Sequence, residues 1–63
     1  VISLGRYLTF GGITAVLAQL RSEGKAWVFY GALEFDNVMI PHRWALDGKS
    51  ASGDAKYNIK EKI

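Results

Sequence analysis

Ile13-Thr14-Ala15-Val16-Leu17-Ala18-Gln19-Leu20-Arg21 decides the fold of this chain, because the stretch reads in two ways. Ile13, Val16, Leu17 and Leu20 fall at helical spacing, and Ala15 and Ala18 favour helix. Gly24 then stands where a helix would stop. Against this, Gly11-Gly12 just before the stretch is a hairpin signal, and Tyr7-Leu8-Thr9-Phe10 reads as a strand leading into it. On local pattern the two readings balance. A strand makes the chain all-β. A helix over 13–22, packed on a three-stranded antiparallel sheet, makes it α+β.

The flanks speak for β structure. Turn signals recur at Gly11-Gly12, Ser22-Glu23-Gly24-Lys25, Asp36-Asn37, Asp47-Gly48 and Ser50 to Asp54, with short apolar segments between them. Such spacing suggests an antiparallel meander. Residues 26–35 are apolar on both faces: Trp27, Phe29, Leu33 and Phe35 on one, Ala26, Val28, Tyr30 and Ala32 on the other. A strand of that kind wants cover on both sides. Gly31 interrupts it and marks a bulge or a sharp bend.

Downstream, Val38, Ile40, His42, Trp44 and Leu46 alternate with Met39, Pro41, Arg43, Ala45 and Asp47. Pro41 cannot donate to a ladder, so this strand is expected at an edge or bulged. Trp44 and Leu46 are expected in the core, running into an Asp47-Gly48 turn, and residues 48–54 read as a flexible hairpin loop. A last strand follows, with Tyr57, Ile59 and Ile63 on one face and Asn58, Lys60 and Lys62 on the other. Its lysines suit an exposed edge.

The chain has 63 residues, which is one domain at most, spanning 1–63. A domain this short buries only about 60% of its extended surface and usually relies on a disulfide, a metal or a partner subunit. There is no cysteine and only one histidine, His42. Disulfides, thiolate zinc sites, cysteine nucleophiles and histidine-rich metal sites are therefore excluded, and a homo-oligomer, with a dimer favoured, is the remaining means of support. The lack of cysteine fits a reducing cytoplasm. No run approaches the ~18 apolar residues of a membrane helix, and the N-terminus lacks the pattern of a signal peptide. The net charge of +2 is too small to indicate nucleic acid by itself.

Gly5, Tyr7, Thr9, Gly12 and Ala15, then Gly31, then Trp44, Asp47, Gly48 and Lys49, and finally Tyr57, Asn58 and Ile59 follow one another in an order that resembles a class of short proteins encoded by bacteriophages and prophages. Their pattern is Gly-x-Tyr-x-Thr-x-(Asp/Gly)-Gly-x-x-Ala-x-Val, a Gly within an apolar strand, Trp-x-x-Asp-Gly-(Lys/Arg), and a closing Tyr-(Asp/Asn)-(Leu/Ile) strand. The chain departs from the usual form at Gly11, where Asp is common, and at Asn58. The resemblance covers most of the chain. It implies a small curved antiparallel sheet with residues 13–20 as a strand, and a phage or mobile-element origin, but no particular activity. The fold expected is all-β: a small curved antiparallel sheet or SH3-like open barrel of four to five strands.

No motif for catalysis, metal or nucleotide stands out. His42 beside Trp44 reads as a half-buried imidazole with one hydrogen-bond partner rather than a base. Glu34, Asp36, Asp47 and Asp54 sit in or beside separate turns, where Asp shapes turn geometry. No cofactor is expected. The leading expectation is a phage or prophage accessory protein that binds a host or phage macromolecule and catalyses nothing, through Trp27, Phe29, Tyr30 and Phe35. The second is a nucleic-acid-binding β-barrel using Arg43, Trp44, Lys49, Tyr57, Lys60 and Lys62. The third is an oligomeric enzyme whose site is built by symmetry.

Overall fold

The computed structural model describes residues 2–63 and resolves the ambiguity at residues 13–21 in favour of strand. Five strands form one open antiparallel sheet: β1 (Gly5–Thr9), β2 (Thr14–Glu23), β3 (Ala26–Phe35), β4 (Val38–Ala45) and β5 (Ile59–Lys62). Their order across the sheet is β4-β3-β2-β1-β5. The only helical element among the described residues is a 3₁₀ turn at Ala55–Tyr57, capped by Asp54, whose side chain accepts from the Lys56 N–H.

The helical spacing of Leu17 and Leu20 has a β explanation. Leu17 pairs with Gly31 and Gln19 with Tyr30, so Ala18 is an extra residue on β2. A bulge of this kind shifts the alternation by one. Before it, Ala15 and Leu17 point into the core; after it, Leu20 takes over that side opposite Phe29. Gly31 sits against this bulge, and a Cβ there would overlap the backbone carbonyl of Val16.

The turns follow the residues that form them. Asp36 and Asn37 both have positive φ, 43° and 69°, the two-residue geometry that matches the twist of a hairpin. Gly24, at φ 60°, turns β2 into β3. Gly48, at φ 88°, follows Asp47, whose carboxylate accepts from the Lys49 N–H at 3.0 Å.

The last two strands do not form a hairpin, which corrects the expectation for residues 48–54. β4 lies at one edge and β5 pairs with β1 at the other. Residues 46–58 cross between the edges and pack under the sheet. Trp44 pairs with Ser50 in an isolated bridge, and the Ile59 N–H donates to Gly48 at 2.8 Å. The Trp44 indole N–H donates to the Tyr57 carbonyl at 2.8 Å. In a flat five-stranded sheet the outer strands would stand about 19 Å apart. An indole cannot span that, so the sheet curls. Tyr7, Ala15, Leu17, Phe29, Leu33 and Trp44 fill the concave side, with Ile2, Ile13, Phe35, Tyr57 and Ile59 packed around them. Two expected core residues are outside it. Leu46 is half exposed because the chain has already left β4, and Ile63 lies past the end of β5.

β2 and β3 run on beyond the core as a two-stranded ribbon. Every residue from Ala18 to Trp27 is exposed, and the molecule measures 34 × 20 × 18 Å as a result.

Candidate binding cleft beside Trp27

Pairing places Trp27 and Phe29 on the same side of β3, with Phe29 opposite Trp44 and Trp27 opposite Ser22. Phe29 is 1% exposed and belongs wholly to the core. Trp27, one step of the alternation further out, is 52% exposed. The result is an open cleft of about 260 Å³ between the ribbon and the crossing segment. Ala26, Trp27, Val28, Ala45 and Ala51 make it apolar, and Glu23, Arg43 and Lys49 stand on its margin. Arg43 pairs with Glu23 at 3.7 Å, while Lys49 has no ion pair among the described residues.

The four residues expected to form an apolar binding face therefore separate. Only Trp27 is freely accessible. Phe29 must be withdrawn, since it is buried within its own chain. Phe35 is half-buried under Tyr57, with ring centroids 6.3 Å apart at a near-perpendicular angle. Tyr30 lies on the opposite face, where the Arg21 guanidinium sits 5.1 Å from its ring centroid. On that outer face of β3, Val28, Tyr30 and Ala32 are all half-buried.

The six residues considered for nucleic acid are also dispersed. Trp44 is fully buried, with its N–H satisfied, and cannot stack on a base. Arg43 and Lys49 belong to the β4 side. Lys60 and Lys62 are on β5, at the other edge of the sheet. The Lys62 ammonium rests 5.0 Å from the Tyr7 ring centroid, and that of Lys56 rests 5.1 Å from the Tyr57 ring centroid while pairing with Asp54 at 3.6 Å. No continuous basic groove with stacking aromatics is formed by these side chains.

His42 has the half-buried setting expected of it. Its ring lies 4.8 Å from Trp44 and 5.5 Å from Tyr57, centroid to centroid. Nε2 shares a hydrogen bond with the Ser50 hydroxyl, which meets the Ser52 hydroxyl at 2.8 Å. Burial, and after it the positive charge of Arg43, push the His42 pKa below its ordinary value. Ser50 is buried and also accepts from the Ser52 N–H, so its oxygen is engaged in holding the loop. No carboxylate hydrogen-bonds the ring among the described residues. The signal that sequence reading missed is this loop: the Ser50-x-Ser52 spacing and Asn58, which accepts from the Ser50 N–H at 2.8 Å, tie it down.

Among the described residues no helix is long and apolar enough to cross a membrane, and no three His, Cys, Asp or Glu side chains are grouped to hold a metal ion. Compared with known proteins, the chain matches no family model, no curated protein and no solved structure.

Proposed function

We propose that the chain is a small binding module, without catalysis of its own, that takes an apolar side chain of a partner protein into the cleft beside Trp27. One observation carries this reading: a tryptophan held half exposed over an apolar floor, in a chain whose other tryptophan is fully buried. Tryptophans in such settings often dominate binding energy at protein interfaces. Lys49 on the margin, unpaired among the described residues, favours a partner segment in which the apolar residue is flanked by Asp or Glu. The resemblance to short phage and prophage proteins agrees with an accessory role of this type.

The test is to pan a displayed library of random peptides on the immobilised chain. Peptides with a bulky apolar residue next to acidic ones are expected to be enriched. Their binding should weaken at least ~10-fold in Trp27→Ala and several-fold in Lys49→Glu, about 1.4 kcal/mol or more for the former. Trp27 touches solvent, so both variants should keep the fold. Enrichment of peptides that bind Trp27→Ala as well as the parent chain would reject the cleft.

A further inference from the structure

β4 is an edge strand, and only half of its free edge is covered. The Ala51 N–H donates to the Arg43 carbonyl, and the Ala45 N–H donates to the Lys49 carbonyl. Arg43 and Ala45 therefore turn their backbone groups away from β3. By antiparallel alternation, so do Pro41 and Met39. The proline sits where its missing N–H would have faced outward, which is why an edge strand tolerates it. Among the described residues, the N–H and C=O of Met39 and the C=O of Pro41 remain open along the uncovered half.

That same half is apolar on both faces. Val38 is 58% exposed, Met39 49% and Ile40 43%. No charged residue lies between Asp36 and Arg43. The contrast with the other edge is sharp, since β5 carries Lys60, Glu61 and Lys62. Charges of that sort discourage edge pairing, and β4 lacks them where it is open.

The geometry points to a second copy of this chain as the occupant, paired antiparallel to β4 about a two-fold axis at Met39. In that register Met39 faces Met39 of the other copy, and each donates its N–H to the other's C=O. Val38 stands opposite Ile40 twice, as a β-branched pair. Pro41 falls opposite Asn37, past the end of the partner strand, so its missing donor is not called upon. Asp36 falls opposite His42 and Arg43 opposite Phe35, so no like charges are set face to face. An edge that offers its own complement in hydrogen bonds and apolar residues is what a two-fold contact requires. This surface is separate from the Trp27 cleft and lies at the edge of β4, away from the faces of β3. Val38, Met39 and Ile40 make a contact of far fewer residues than the roughly 20–30 a side of a standard interface, so a weak, concentration-dependent dimer is expected.

The chain has no cysteine, so Met39→Cys supplies a single reporter at the axis. Paired residues of this kind lie about 5.5 Å apart at Cα, within reach of a disulfide. Under mild oxidation at 100 μM, Met39→Cys is expected to form a covalent dimer at least ~10-fold faster than Lys25→Cys at the ribbon tip. Sedimentation should show a concentration-dependent dimer for the parent chain and for Trp27→Ala, and a monomer for Ile40→Lys with an unchanged β spectrum in circular dichroism. The inference is overturned by a parent chain that stays monomeric up to 1 mM, by a dimer that survives Ile40→Lys, or by cross-linking no faster at 39 than at 25. Because Trp27 lies outside the contact, failure of the cleft and failure of the dimer are read separately.

Discussion

Gly31 is the residue on which the curl of the sheet depends. Its φ is not in the left-handed region, so the requirement is one of space: any Cβ would run into the Val16 carbonyl at the bulge. Gly31→Ala should force β2 and β3 apart or undo the bulge, and is expected to lower stability by roughly 3 kcal/mol, measured as a fall in the urea midpoint. Gly31 was readable from sequence as a break in an apolar strand. What it touches was not, since Val16 is brought to it only by pairing. His42 offers a second check at this scale. Its folded pKa is lowered by burial and by Arg43, so the folded state favours the neutral ring. The unfolded chain takes up the proton first as pH falls. Stability should hold above the ordinary histidine pKa of about 6.5 and decline as pH drops from there through the lower folded value. Urea titrations between pH 8 and 5 should show this decline, and His42→Gln should flatten it. The difference between the two titrations isolates the imidazole.

At the scale of the element, the β2–β3 ribbon behaves as two halves. From Thr14 to Leu17 and from Phe29 to Phe35 the strands lie over the core. From Ala18 to Trp27 both faces meet solvent, and the pairing rests on backbone hydrogen bonds and a few side-chain contacts. Such segments open locally at low free energy. Amide exchange in the outer half is expected to run at least ~100-fold faster than at Ala15, Leu33 or Phe29, by NMR at neutral pH. Equal protection along the ribbon would mean that a partner, or a second copy, covers it. The bulge at Ala18 divides the halves, and it also explains why this stretch mimics a helix. Leu17 and Leu20 lie three apart because the alternation slips once, so an irregular strand reproduces the spacing of a regular helix.

For the molecule as a whole, size sets the terms. A chain of 63 residues without disulfides has one small core, and residues 46–58 complete it by crossing from β4 to β5 and bringing Tyr57 over Trp44. That crossing leaves the cleft beside Trp27 on one side and half of the β4 edge uncovered on the other. The division of the lysines between the two edges leaves no continuous basic track along the sheet. Binding of single-stranded DNA, measured at low salt, should show a slope of log affinity against log salt no steeper than about −2, the response of two or three phosphate contacts.

The residues alone determined much. Alternation and turn chemistry defined β3, β4 and the turns at Asp36-Asn37 and Asp47-Gly48; Pro41 marked an edge strand; cysteine content excluded a disulfide framework. These are local properties, set by backbone preferences and by period-two patterning that any neighbour would respect. The tertiary structure alone decided that β5 joins β1 instead of β4, that Leu46 and Ile63 stay outside the core, and that of Trp27, Phe29, Tyr30, Phe35 and Trp44 only Trp27 remains open. Those outcomes turn on which distant strands meet and where the sheet curls, and no local pattern carries that information. The stretch 13–21 lies between the two: its strand state was balanced in its own spacing and was decided by its pairing with β3, where Gly31 leaves room opposite Leu17 for the bulge.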